Sequence, residues 1–147
     1  MSGELERLIY ASQATRDYPS LEAIAGIVEV SDRNNRQNGV TGALVLADGV
    51  FLQVLEGAAP DIELTLSRLL RDPRHTDLQV LQRHPVGFRQ FEGWGLVGAA
   101  LEPTRQSVMD ELIGFAQADP DYVVDRVRTL VADQASREAG GRSNDSI

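Results

Sequence analysis

Cysteine is absent from the 147 residues, and so is lysine, so that all 14 basic residues are arginine. Without cysteine there is no disulfide, no thiolate nucleophile and no Cys-bearing zinc site. Histidine is nearly as scarce: only His75 and His84 occur, too few for most structural metal sites. No apolar run approaches the ~18 residues of a membrane span, and no charged-then-apolar leader opens the sequence. Positive charge is in deficit as well. Against those 14 arginines stand 22 acidic residues, a net charge of −8, which argues against nucleic acid or an anionic membrane surface as the main partner. The enzyme signatures G-x-S-x-G, P-loop and G-x-G-x-x-G are also missing. These exclusions leave the expectation of a soluble, cytoplasmic, single-domain protein. With 42% hydrophobic residues over this length, it can build a core without covalent or metal staples.

What is present is an ordered series of strand and helix patterns. Leu5 to Ser12 alternates as a first strand, with Leu8, Tyr10 and Ser12 on one face. Ser20 caps a helix from Leu21 to about Asn35 with the stripe Leu21, Ile24, Ile27 and Val28. Val40 to Leu46 and Val50 to Glu56 are strands joined by an Asp48-Gly49 hairpin turn. Pro60 opens a second helix with the stripe Ile62, Leu66, Leu69 and Leu70, stopped at Arg71-Asp72-Pro73. Leu78 to about Arg83 is a fourth strand and Trp94 to Ala100 a fifth. The order βαββαββ predicts an α+β, ferredoxin-like sandwich: a mixed five-stranded sheet with two helices on one face. Leu52 and Val54 alternate with Phe51 and Leu55, so the other face needs its own cover. Two C-terminal helices supply it, one marked by Val108, Leu112 and Phe115, the other capped by Asp119-Pro120 with the stripe Val123, Val127, Leu130 and Val131. This divides the chain into a domain over residues 5–100, a helical extension over 101–136, and a tail over 137–147 expected to be disordered.

Polar groups inside apolar runs are the sharpest functional signal. Gln53 interrupts Val50-Phe51-Leu52-Gln53-Val54-Leu55, and an unpaired amide there would cost about 1–3 kcal/mol. A satisfied core glutamine is the ordinary explanation. Tyr10 shifts the balance, because it too is a polar tip in an apolar strand, and the connectivity allows the first and third strands to be neighbours. Asn35 falls eleven residues after Ile24, on the extension of the first helix's buried stripe, with Asn34 beside it. Asparagine is common at helix ends, and an amide fork holding a planar, hydrogen-bonding ring fits the spacing equally well. Arg71, Asp72, Arg74 and His75 cluster where the second helix ends, a place that favours cations and could hold phosphates. Trp94 is the only tryptophan, and by itself it reads as a core anchor. An RNA-recognition module has the same element order, but the strands lack stacking Phe/Tyr pairs and the charge has the wrong sign.

Together these segments resemble the BLUF domain, a blue-light sensor module that uses FAD. The matching text is Leu8-Ile9-Tyr10-Ala11-Ser12, Ser31 to Asn35, Val40-Thr41-Gly42-Ala43-Leu44, and Asp48 through Gly57. Arg71-Asp72-Pro73-Arg74-His75 and Arg89 through Trp94 complete it. The resemblance runs over about residues 5–100, in order, and implies a non-covalent FAD held between the two helices. It further implies that Tyr10 is the photochemical electron and proton donor and that Gln53 rearranges its amide between Tyr10 and the flavin. Asn35, assisted by Asn34, would bond the polar edge of the ring, while Ile27, Arg71, Asp72 and His75 would line it. Trp94 would take part in signal output, where Leu96 stands in place of the family's frequent methionine and cannot offer a sulfur contact. No output domain follows residue 100, so the resemblance is to short, non-enzymatic BLUF proteins that form homo-oligomers and act on a separate effector protein. The competing reading is a light-insensitive flavin-binding or flavin-less interaction module, against which the intact Tyr10 and Gln53 count. A flavin oxidoreductase lacks an evident nicotinamide site.

Overall fold

The computed structural model describes residues 4–15, 25–47, 49–94, 97–100 and 106–145. In chain order the elements are β1 (Leu5–Ala14), α1 (Ala25–Gln37), β2 (Thr41–Ala47), β3 (Val50–Ala58) and α2 (Ala59–Arg71). They continue with β4 (His75–Val86), β5 (Val97–Ala100), α3 (Gln106–Phe115) and α4 (Pro120–Asp145). The expected cap at Ser20 and the stripe residues Leu21 and Ile24 lie outside the described residues. So does Leu96.

The five strands form one sheet in the order β4-β1-β3-β2-β5. β3 runs antiparallel to both β1 and β2, β1 antiparallel to β4, and β2 parallel to β5. This is the α+β, ferredoxin-like arrangement that the element order predicts, with β1 and β3 side by side at the centre. The β2–β3 hairpin closes on the Ala47–Val50 pair, and Gly49 takes φ of 77°, the left-handed conformation such two-residue turns require. At Gly42 the requirement is space: a Cβ there would lie 2.1 Å from the Val54 carbonyl oxygen.

Period two divides the strands between two cores. Ile9, Ala43, Val45, Leu52 and Val54 point to one face and pack with Met109, Leu112, Val123, Val127 and Val131 of α3 and α4. Leu8, Tyr10 and Leu55 point to the other and pack with Ile62 of α2. Leu52 and Leu55 are both fully buried, which stabilises the fold by roughly 1.5–3 kcal/mol for each.

Several boundaries differ from the sequence reading for physical reasons. β4 is twelve residues long, well beyond Leu78–Arg83, because an edge strand tolerates polar residues on both faces. Trp94 precedes β5, directly after the turn at Glu92 and Gly93 rather than at the strand's head. On α2, Leu70 is 62% exposed and Thr65 is buried on the inward stripe in its stead. Phe115 is 46% exposed, while Met109 and Leu112 form the buried side of α3, continued by Ala116 in the turn that follows it. The backbone of α4 stays helical through residue 145, where the polar composition from residue 137 pointed to disorder. A helix already anchored by its packed first half adds further turns at little cost, since nucleation is the expensive step. Among the described residues no helix is long and apolar enough to cross a membrane.

Candidate functional site

The pairing register sets Tyr10 directly opposite Gln53 on the central strands, and Gln53 in turn opposite Leu44 of β2. The Tyr10 hydroxyl donates a hydrogen bond to Gln53 Oε1. Both residues are almost fully buried, at 2% and 3% exposed. With Oε1 taken, the amide nitrogen of Gln53 remains to donate elsewhere. Burial, reinforced by the negative charge of Asp72, pushes the Tyr10 phenol well above its ordinary value, so the hydroxyl keeps its proton and remains a donor.

Two adjoining cavities open over this pair. One, with ≈ 350 Å³ of empty space, is lined by Tyr10, Gln53, Leu44, Phe51, Leu69, Ser31, Asp72, Arg74 and His75. The other, ≈ 420 Å³, adds Asn34, Asn35, Thr65 and Arg68. Because Gln53, Ser31, Leu69, Asp72 and Arg74 line both, they make one cleft with α1 and α2 as walls and β3 as floor. A roomier cleft of ≈ 880 Å³ lies between the end of β4 and the start of α4, around Arg7, His84, Phe88 and Asp121. It contains neither Tyr10 nor Gln53.

The end of α2 is locked beneath the cleft by His75. The Leu69 carbonyl oxygen, 2.6 Å from Nε2, can only accept, so Nε2 carries the proton in that bond. In the neutral ring Nδ1 then accepts from the Ser12 hydroxyl at 2.7 Å. The same ring lies 6.1 Å from the Tyr10 ring and 6.4 Å from that of Phe51, between centroids. Asp72 is gripped by Arg74, whose Nε donates to both carboxylate oxygens at 2.9 and 3.1 Å. That hydrogen bonding holds the Asp72 carboxyl below its ordinary value against the opposing effect of burial.

The structure therefore brings Tyr10, Gln53, Asn34, Asn35, Asp72 and His75 around one cleft. Asn35 is 4% exposed and Asn34 half-buried. Arg71 departs from the expectation: it is exposed, lines neither cavity, and contacts Ser67 Oγ at 3.4 Å, whereas Arg68 and Arg74 face the cleft. Trp94 packs on the α3/α4 side, its ring 5.6 Å from that of Phe91, on the sheet face opposite to Gln53. Ile27 belongs to α1, but its side chain lies outside the described residues. Sequence reasoning missed Ser31, Thr65 and Arg68 as lining groups, whereas Arg74 belongs to the cluster it singled out at the end of α2. Their helical spacing, Thr65 three residues before Arg68 on α2, was the available signal.

The donor set suits a flavin. Amides of Gln53, Asn34 and Asn35 offer donors and acceptors for the edge of a planar heterocycle, and Leu44, Phe51 and Leu69 offer apolar contact for its faces. Arg68 and Arg74 supply cations for a phosphate-bearing tail.

Comparison with known proteins agrees. The family model described as sensors of blue-light using FAD, BLUF, matches residues 5–97. The chain is similar to the photoactivated adenylate cyclase subunit beta of Euglena gracilis, 34% identical over 114 residues, which cover 74% of this chain and 13% of that protein. It is 30% identical over 109 residues to the blue light- and temperature-regulated antirepressor BluF of Escherichia coli (strain K12), covering 74% of this chain and 26% of the antirepressor. Among solved structures, the dark state of the BLUF protein BlrB matches with a TM-score of 0.71 and 25% identity, over 90% of this chain and 99% of BlrB. A bacterial light-regulated adenylyl cyclase matches with a TM-score of 0.63 and 27% identity, over 86% of this chain and 40% of the cyclase. The chain thus spans about an eighth of the Euglena relative and about a quarter of the antirepressor. The matched family is defined by sensing rather than catalysis, and its sensing cofactor is FAD. On these matches, and on the cleft that fits a flavin, the chain belongs to the BLUF family of blue-light sensors that use FAD.

Proposed function

We propose that Tyr10 and Gln53 are the photoactive pair of this sensor, that FAD lies in the α1/α2 cleft against them, and that light is read out as a rearranged hydrogen bond. One observation carries the proposal: a buried tyrosine hydroxyl donates to a buried glutamine amide that also floors the cleft. When bound, the flavin supplies a blue-absorbing ring that becomes a strong oxidant on excitation. Tyr10 is the oxidisable side chain beside it, and the Asp72 carboxylate favours loss of an electron from the phenol. An oxidised phenol is far more acidic, so its proton moves along the existing bond toward Gln53 Oε1. Once the proton and electron return, the amide can settle with its ends exchanged. Its two ends are alike in size but opposite in hydrogen-bonding sense, so the exchange changes what both Tyr10 and the ring edge meet.

Asn34 and Asn35 bind the polar edge in this reading. Asp72 and His75 hold the wall beside Tyr10, and Arg68 and Arg74 receive the phosphates. The output passes through the Trp94 segment, with Leu96 two residues on, to α3 and α4 and then to a separate effector protein. We infer that the chain works as a homo-oligomer in the cytoplasm. The net charge of −8 supports a protein partner over nucleic acid or an anionic membrane.

The test is an absorption spectrum of the purified chain in the dark and again under blue light. Flavin bands that move slightly to the red and recover in the dark, with Tyr10→Phe abolishing the shift, are the expected result. Bands that stay fixed in the wild type would overturn the photochemical roles of Tyr10 and Gln53.

A further inference from the structure

Glu56 is a fully buried carboxylate that the photochemistry described above does not use. It lies on β3 three residues after Gln53, with its side chain on the opposite face of the sheet, the side of Leu52 and Val54. Burying an ionised carboxylate is costly unless every lone pair is engaged. Here all the donors converge from one place and one partner. The backbone N–H of Phe91 donates to Oε1 at 2.8 Å, and that of Gln90 to Oε2 at 2.9 Å. Arg7 Nε donates to Oε2 at 2.9 Å, and its Nη2 lies 2.9 Å from the same oxygen. The Glu56 carbonyl oxygen accepts from Arg89 Nη1 at 2.9 Å. One residue of β3 thus fastens residues 89, 90 and 91 together.

That segment leads directly to Trp94. The Trp94 N–H donates to the Phe91 carbonyl at 3.0 Å, and the two rings pack together. From the same hub a second arm reaches α4: Arg7 Nη1 lies 3.5 Å from Asp121 Oδ1 in the first turn of that helix. A third contact, Arg128 Nη1 to Gln90 Oε1 at 3.2 Å, ties α4 to the same segment.

We propose that Glu56 is a positioning residue that joins the strand bearing Gln53 to Trp94 and, through Arg7 and Asp121, to the start of α4. The inference rests on the Tyr10–Gln53 reading for its source of motion, but the joint itself stands on the hydrogen bonds of Glu56 and Arg7 alone. A shift in β3 caused at Gln53 displaces the Glu56 carboxylate. Because the carboxylate holds two consecutive backbone N–H groups, the 89–94 segment follows as a unit.

The experiment uses the full chain loaded with FAD, as wild type, Glu56→Gln and Asp121→Asn. Three signals are read: the flavin red shift, quenching of the single Trp94 by acrylamide in the dark, and hydrogen exchange of the α4 amides in dark and light. Glu56→Gln should keep the red shift, raise Trp94 quenching at least about twofold, and lose the light-dependent change in α4 exchange, which is expected to be about tenfold in the wild type. Asp121→Asn removes only an exposed partner and should fold normally. It should keep both the red shift and the Trp94 signal while reducing the α4 response. Red-shifting variants with wild-type Trp94 quenching and a wild-type α4 response would overturn the proposal. A wild type without a red shift would instead overturn the Tyr10–Gln53 reading, and the dark Trp94 quenching of Glu56→Gln would still decide whether Glu56 positions that segment.

Discussion

Tyr10 and Gln53 face each other across the two central strands, and the hydroxyl of one donates to the amide oxygen of the other on the floor of a cleft walled by two helices. The bond satisfies the Tyr10 hydroxyl proton and the Gln53 amide oxygen together. Replacing Gln53 by Leu keeps the shape and removes the acceptor. The Tyr10 hydroxyl is then orphaned, and the apo protein should lose about 1–3 kcal/mol of stability in urea unfolding. The FAD-loaded variant should remain yellow and show no light-induced red shift. A retained shift would place the photochemistry elsewhere.

Acid should weaken the wall of the cleft through Asp72. Hydrogen bonding from Arg74 lowers its folded value below the ordinary 3.8. The stabilisation is therefore complete above the unfolded value, declines as pH falls through it, and is gone below the folded value. Comparing wild type with Asp72→Asn in unfolding titrations, the gap between them should be widest near neutrality and close in acid. A gap independent of pH would assign the effect to shape rather than charge.

Alkali works in the opposite sense at Tyr10. Its folded value is raised above the ordinary 10.0 by burial and then by Asp72. The unfolded chain releases this proton first, so stability falls as pH rises through 10.0. Phenolate absorbance should show Tyr10 titrating only when the fold is lost.

His75 links Ser12 of β1 to the last turn of α2 through both ring nitrogens. His75→Phe keeps an aromatic ring beside Tyr10 and Phe51 but strands the Ser12 hydroxyl and leaves the Leu69 carbonyl with the Asp72 N–H alone. Flavin affinity should fall about tenfold, equivalent to about 1.4 kcal/mol, with the red shift of the bound fraction preserved. An unchanged affinity in equilibrium titration would show that the end of α2 needs no tether.

Gly42→Ala tests the close approach of β2 to β3. The new methyl would sit 2.1 Å from the Val54 carbonyl oxygen, which is backbone and cannot swing aside. A loss of about 1–3 kcal/mol is expected in thermal unfolding. Because the Gly42 N–H also donates to the Trp94 carbonyl at 2.9 Å, Trp94 emission should change as well.

The Tyr10–Gln53 pair was legible because each residue breaks an apolar run of strand period, and the connectivity permits their strands to be neighbours. The central strands and both C-terminal helices were legible for the same reason, since burial writes a periodic pattern. β4 was only partly so: its twelve residues alternate poorly because an edge strand meets solvent on more than one side. Glu56 gave no signal of its role. Its charged partner, Arg7, is 49 residues away, and its other donors are backbone N–H groups, which leave no mark on residue choice. At the end of α2, the choice between Arg71 and Arg74 depends on where the helix stops and how the chain turns at Pro73, which a local pattern of charges does not encode.

The alternation of β3 has an evolutionary corollary. Residues 51, 53 and 55 belong to the side of the sheet that carries the α1/α2 cleft, and 52, 54 and 56 to the side covered by α3 and α4. A single strand therefore holds two nearly independent texts, one in its odd letters and one in its even letters. On the proposed reading, substitutions at the odd positions act first on the photochemistry, and substitutions at the even positions act first on how the strand is joined to α3 and α4. A light-sensing sheet built this way can be recombined with new audiences by rewriting every second residue.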